Sequence, residues 1–249
     1  LHMVLVKGPT LKPLYAHCLG GGPKPRITVT THPAANGGWV WYLGGDISEA
    51  EGVARNPAEQ IAAAKKEFVT YGFKGASIKR IAERANIPRT NIHYYYKNKV
   101  DLYQQLLNDI LETWNQRFDT LTAQDNAKEA LTAYIRSKVM YSKTDPDASR
   151  IFASEIIHGA PHLKPYLAKE FKDWVLGKTA VIQAWIDQGQ INPVNPYHLL
   201  FLIWGASQHY ADFNVQVLSA MDKTEMSNDD YEDVVASLTT IILNGCGIK

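Results

Sequence analysis

Cysteine is nearly absent from this chain. Its two copies, Cys18 and Cys246, stand near opposite ends and outside any Cys-x-x-Cys pair. That excludes a disulfide scaffold and a zinc ribbon, and it fits a reducing compartment such as the cytoplasm. Long apolar runs are missing too. The longest, Leu199 to Ala206, falls far short of the roughly 20 residues that cross a bilayer, and no secretory leader is visible. No strand leads into Gly-x-Gly-x-x-Gly, so a dinucleotide has no cradle. None of the eight histidines accompanies a Ser, Cys or Asp on a tight turn, the arrangement a nucleophile and its base require. His158 and His162 have the spacing of helical metal ligands, but Gly159 and Pro161 interrupt the helix that such a site needs. Catalysis is therefore not expected, and neither a cofactor nor a metal is assigned.

Net charge is also small, +1 over 249 residues, but it is unevenly spread. Between Lys74 and Lys99 stand seven basic residues (Lys74, Lys79, Arg80, Arg84, Arg89, Lys97, Lys99) against the single acid Glu83, a local charge of +6. A patch this concentrated suits a phosphate backbone better than general solvation. The same stretch is punctuated as three short helices. Asn56 and Pro57 can start the first, with Ile61, Ala64, Phe68 and Val69 on one face, and Gly72 and Gly75 end it near Tyr71. Ser77 can cap a second helix with Ile78, Ile81, Ala82 and Ala85 at helical spacing. Asn86 to Pro88 makes a turn, and a polar, aromatic third helix runs from Arg89 to about Tyr94. This is a helix-turn-helix layout whose third helix suits a major groove.

The run from Phe68 to Tyr103, FVTYGFKGASIKRIAERANIPRTNIHYYYKNKVDLY, resembles the DNA-binding domain of the TetR family of bacterial repressors. Two departures are visible: Asn86 replaces the usual turn glycine, and Pro88 replaces a capping serine. Asn tolerates positive φ, and proline presets the start of the third helix without a side-chain cap. The resemblance implies that Arg89, Thr90, Asn91 and His93 face base edges, with packing or phosphate contact as the other role open to His93. It implies that Ser77, Tyr94, Lys97 and Lys99 hold phosphates.

Beyond Asn98 the chain reads as further helices, so the expected fold class is all-α. Asn98 and Asp101 have capping-box spacing before a long helix through Leu102, Leu106, Ile110, Trp114 and Phe118. Apolar stripes follow at Leu131, Tyr134, Ile135, Lys138 and Val139, then over 151–157, 171–186 and 199–217. Asn195-Pro196 and Ser227-x-x-Asp230 mark two more starts, and the last helix ends at Gly245. Residues 56–103 form the expected DNA-binding domain, and 104–249 a helical effector-binding and dimerisation domain. Its final two helices look apolar on more than one face. The resemblance implies that they pair two subunits into a homodimer, which reads a two-fold symmetric operator.

SRIFASEIIHGAP at 149–161 and HLLFLIWGASQHYADF at 198–213 are similar to the RutR-like subfamily, repressors of pyrimidine use. That resemblance implies an effector such as uracil or thymine whose binding releases DNA. A TetR-type regulator of other catabolic or efflux genes, with a different effector, is the competing reading. Gln208 offers an amide donor and acceptor together, which match one edge of a pyrimidinedione, and an indole such as Trp114 or Trp204 can stack on its ring. Trp114 and Gln208 lead the ligand candidates, followed by Trp204, Arg150, Glu155, His209, Tyr210 and Asp212. For the aromatics the alternative is core packing, and for Arg150 with Glu155 a structural ion pair.

Residues 1–55 differ in composition, with glycine clusters and two β-like runs, Arg26 to Thr31 and Trp39 to Leu43. They resemble a piece of the substrate-side sheet of FAD-dependent amino-acid oxidases, so an oxidoreductase fragment fused to a regulator is a further alternative. Leu1-His2 ahead of Met3 reads as a remnant or as a start placed upstream. Lys7, Lys12, Lys24 and Arg26 are thinly spaced for a minor-groove arm.

Overall fold

The computed structural model describes residues 28–33, 39–44 and 57–248, with side chains described for 57–114 and 120–248. Contacts divide the chain between Val53 and Ala54. In the first unit β1 (Thr28–Pro33) and β2 (Trp39–Gly44) pair antiparallel, with Thr28 opposite Gly44 and Pro33 opposite Trp39. Threonine, valine and aromatic residues favour such a pair. The first strand continues to Pro33, two residues past the end of the run that the sequence pattern suggests. Arg26, the Gly20 to Gly22 run and the lysines before them lie outside the described residues.

The second unit is helical throughout its regular elements: α1 (Pro57–Gly75), α2 (Ile78–Arg84), α3 (Arg89–Tyr95), α4 (Lys99–Asp119), α5 (Ala127–Thr144), α6 (Pro146–Ile157) and α7 (Lys164–Tyr166), then α8 (Lys172–Asp187), α9 (Pro196–Asp212), α10 (Asn214–Ala220) and α11 (Asn228–Gly245). A π-helical turn, Leu167–Phe171, joins α7 to α8. The termini follow the capping residues. Ser77 accepts from Arg80 N at 3.2 Å, Asn195 from Tyr197 N at 3.0 Å, and Ser227 with Asp230 closes a full capping box. Asn86 has φ 52°, as the turn requires, and Pro88 starts α3 without a side-chain cap.

As the sequence suggests, the first helix breaks just after Tyr71, at Gly72 with φ 63° and ψ 174°, and a further turn reaches Gly75. Two expectations need correction. Asn98 caps α4 through Asp101 N at 3.0 Å, but the Asp101 carboxylate returns to Lys97 N at 2.9 Å rather than to Asn98, one residue outside a true capping box. The stripe over 199–217 is two helices, because the chain leaves helical geometry at Phe213 between α9 and α10.

The apolar faces assemble two cores. The first joins α1, α2, α3 and the N-terminal part of α4 to α6, with Ile81, Ile92, Leu102, Leu106 and Leu107 fully buried and Ile151 and Leu163 among their partners. The second joins α5, α8, α9 and α11 around Leu131, Ile135, Ile182, Trp185 and Leu200. Within the first, Glu67 is wholly buried and accepts from Ser77 N at 3.1 Å and from Arg80 Nε at 2.6 Å, pinning α2 to α1. Arg80 also covers the Tyr71 ring at 4.5 Å and donates to Gly75 O at 2.5 Å. Removing Glu67 takes the acceptor from the Ser77 N–H, while the half-exposed Arg80 can turn to water. Glu67→Ala is therefore expected to lower the unfolding free energy by about 1 to 2 kcal/mol in urea titrations, with Glu67→Gln falling between the variant and the parent.

Candidate DNA interface and effector site

The helix-turn-helix sorts its basic residues into two groups. Arg80 is held by Glu67, and Arg84 leans to within 3.9 Å of the same carboxylate. Lys99 lies over the Phe73 ring at 4.7 Å and donates to Phe73 O at 2.8 Å, Ala76 O at 3.0 Å and Lys74 O at 3.3 Å. An ammonium has three donors, so the expected phosphate role for Lys99 gives way to a structural one: it closes the end of α1. Ser77 likewise directs its hydroxyl to the α2 terminus. Lys74, Lys79, Arg89 and Lys97 face solvent. On α3, Arg89, Thr90 and His93 are exposed, and Tyr94 projects with 79 % of its surface free. Asn91 is half-buried, and its Nδ2 is buried without a hydrogen-bond partner. The residues expected at the major groove thus share one helix, but Asn91 turns its amide nitrogen inward.

The ligand candidates do not form one cluster. Trp204 donates Nε1–H to Tyr134 Oη at 2.6 Å and packs among Phe171, Trp174 and Phe201. Glu155, 3 % exposed, is consumed elsewhere: it accepts from His162 N at 2.6 Å, lies 3.2 Å from His162 Nδ1 and sets its charge near the Tyr103 hydroxyl. Burial, then that carboxylate, push the Tyr103 phenol well above its ordinary range. The His162 ring in turn meets Phe73 at 4.2 Å and Tyr103 at 5.1 Å. Arg150 donates Nε–H to Ala211 O at 2.9 Å and lies 3.8 Å from Asp147. Arg150 and Glu155 therefore make separate structural contacts and are not the ion pair that was open from sequence.

Trp114 and Gln208 lie elsewhere. Trp114, on α4, meets Phe152 edge-on at 5.0 Å and carries the Lys138 ammonium 4.3 Å from its ring centroid. Lys138 is only 7 % exposed. On α5 it sits one turn after Tyr134 and one turn before Ser142, and those two residues bond Trp204 and Ser207 O of α9, the second at 2.8 Å. These two bonds bracket Lys138 against the α9 segment that carries Gln208. Farther along, Asp212 accepts from Ser149 Oγ at 2.6 Å, and with Arg150 it borders an open groove of about 560 Å³ that continues along Asn214 and Gln216. Burial raises the Asp212 carboxyl, opposed by Ser149, Arg150, Lys138 and His209. Burial pushes the Lys138 ammonium down to about 8, with Asp212 opposing it. His209 stacks on Phe213 at 5.1 Å and is exposed, whereas Tyr210 is half-buried in the second core.

Comparison with known proteins decides what carries this arrangement. Residues 61–106 match the profile described as bacterial regulatory proteins, tetR family, and residues 107–249 match the YcdC-like protein C-terminal region. The chain belongs to the TetR family. Its members are transcriptional regulators, not enzymes. The HTH-type transcriptional regulator RutR of Escherichia coli (strain K12) is 35 % identical over 185 residues, which cover 74 % of this chain and 87 % of that protein. The solved structure of the transcriptional regulator FadR from Bacillus subtilis, in complex with stearoyl-CoA, shares the fold at a TM-score of 0.55 and 18 % identity, covering 76 % of this chain and 99 % of that one. A 68-residue stretch is 73 % identical to a protein of Pseudomonas aeruginosa described as "Probable FAD-dependent oxidoreductase", over 27 % of this chain and 17 % of that protein. This chain spans about a sixth of that oxidoreductase's length.

Two features of this TetR-family protein escaped sequence reasoning. Lys138 read as one more member of an apolar stripe; a cation at a core position of that stripe was the signal. The contact of Glu155, His162 and Tyr103 joins three elements and had no local signature. Lys97→Ala is expected to lower the salt slope of duplex DNA binding by about 1 without changing Tm. Lys99→Met should instead lower Tm; fluorescence anisotropy and thermal melts separate the two.

The Lys138 shift also fixes a pH trend. Its folded value of about 8 lies below the roughly 10.4 of an unfolded lysine. Between these values the unfolded chain binds more protons, so stability contributed by this group rises with pH. Melts between pH 7.5 and 10 should show that rise in the parent protein and its loss in Lys138→Met.

Proposed function

We propose that this chain is a homodimeric repressor that binds palindromic operator DNA and is released by a pyrimidine such as uracil or thymine. The observation that supports the effector reading is the Lys138 ammonium held over the Trp114 ring at 4.3 Å, on the stretch of α5 that bonds Trp204 and Ser207 of α9 on either side, with Gln208 next in the α9 chain. An indole face suits a flat ring, and a carboxamide supplies the paired donor and acceptor that a pyrimidinedione edge requires. The likeness to repressors of pyrimidine use in the 149–161 and 198–213 runs supports the same reading. Exposed apolar groups on α8, α9 and α11, among them Leu176, Phe201, Leu202 and Ile241, supply the surface for a second subunit. Arg89, Thr90, His93, Tyr94 and Lys97 are the residues offered to DNA.

Release follows from a population shift. The effector favours an arrangement in which the two heads no longer match successive major grooves, and DNA affinity falls by the ligand's preference for that arrangement. Calorimetric titration with uracil and thymine tests the reading. Saturable binding is expected, and Gln208→Ala should weaken it on the order of tenfold to a hundredfold, the cost of an unpaired buried polar edge. Absence of binding to both bases would leave a TetR-family regulator with a different effector.

A further inference from the structure

Lys138 is a largely buried lysine, 7 % exposed, whose ammonium lies on the Trp114 ring face rather than on an acceptor. Among the described residues nothing accepts a hydrogen bond from its Nζ. Its neighbours are the Trp114 ring at 4.3 Å and, through the field alone, Asp212, whose Oδ1 is taken by the Ser149 hydroxyl. Withdrawing an ammonium from water is costly unless it is paired and hydrogen-bonded, and a ring face is a partial substitute. A cation left in this condition inside a ligand-binding domain marks a place where the missing acceptor comes from outside.

We propose that Lys138 is the residue by which the effector site selects a ring bearing carbonyl oxygens over one bearing an amino group. The inference rests on the pyrimidine reading above and goes beyond it by naming what sets the choice among pyrimidines. Gln208 cannot make that choice. Rotating its carboxamide by half a turn exchanges donor and acceptor, so it serves a carbonyl edge and an amino edge equally well. An ammonium only donates. It completes its bonding on a ring oxygen and is left facing another donor when that oxygen is replaced by an amine, so the penalty falls on the wrong ligand. A ring stacked on the face of Trp114 that Lys138 now covers displaces the ammonium to the ring's edge, where a carbonyl oxygen receives it.

The test is calorimetric titration of the full chain with uracil and with cytosine, which differ in this respect at one ring carbon. Wild type, Lys138→Met and Lys138→Gln are compared, with circular dichroism and Tm recorded for each. Wild type should prefer uracil by at least about fiftyfold, the range expected when a site's donor meets a donor. Lys138→Gln should narrow the preference to within about fivefold by gaining cytosine, because its amide, like that of Gln208, can turn. A gain of ligand cannot come from misfolding. Lys138→Met should lose uracil affinity about tenfold or more while melting no lower than wild type at pH 7, since a stranded charge is removed. Lys138→Gln with the wild-type preference, Lys138→Gln binding neither base while folded, or Lys138→Met binding uracil at full strength would each overturn the inference. Loss of uracil in Gln208→Ala alongside intact uracil binding in both Lys138 variants overturns it while leaving the pyrimidine reading in place. If wild type binds neither base, that reading fails and the inference falls with it.

Discussion

A single helix, α4, ties the core under the DNA-binding helices to the Lys138 ammonium of α5, and that constraint organises the rest. The N-terminal turns of α4 supply Leu102, Leu106 and Leu107 to the core under the DNA-binding helices, while its later turns present Trp114 to Lys138. From Lys99 to Trp114 the helix rises roughly 22 Å. An α-helix of this kind bends sharply only where its hydrogen-bond ladder is interrupted, and no proline or glycine lies within it. A displacement at Trp114 is therefore passed to the other end largely undiminished. At that end Lys99 grips three carbonyls of the α1 terminus, and Tyr103 and Phe73 both meet the His162 ring. The head is tied to the helix by contacts that transmit position rather than by a slack connection.

The basic character of the head serves two ends that formal charge does not separate. Arg80 and Lys99 are spent on internal carboxylate and carbonyl oxygens, and they set the angle between helices. The exposed residues, Lys74, Lys79, Arg89 and Lys97, leave their charge to solvent. Buried or multiply bonded cations keep their geometry in salt, whereas exposed ones are screened within about 10 Å at 0.1 M. The shape of the DNA-reading surface is thus insulated from ionic conditions that tune its affinity.

Much of this was legible in the sequence, and the reasons are local. Ser77, Asn195 and the Ser227–Asp230 pair announced helix starts because capping acts over three or four residues. Asn86 and Pro88 announced the turn for the same reason. The apolar stripes gave the second core, since period alone places Leu131, Ile135 and Val139 on one face. What could not be read depended on partners far along the chain. Lys99 looked like any other cation of the patch until Phe73, Lys74 and Ala76 were placed around it. Glu155 looked available to Arg150 five residues earlier, but His162 and Tyr103 claim it. Trp114 and Trp204 were both read as stacking indoles, Trp114 first, and only the fold assigns Trp204 to a crowded aromatic cluster and Trp114 to the Lys138 ammonium. The break at Phe213 escaped because apolar residues continue through it.

The first core has a consequence for how such a protein changes over generations. Ile151 of α6 and Leu163, in the segment that follows, pack into the same apolar cluster as Ile81 and Ile92 of the DNA-binding helices, so the reading head cannot be lifted out without opening a hole in itself and in the body. Heads of this kind are poor currency for recombination. Change is cheapest instead on the outward face of α3, where Arg89, Thr90 and His93 touch no core and can be replaced without loosening either part.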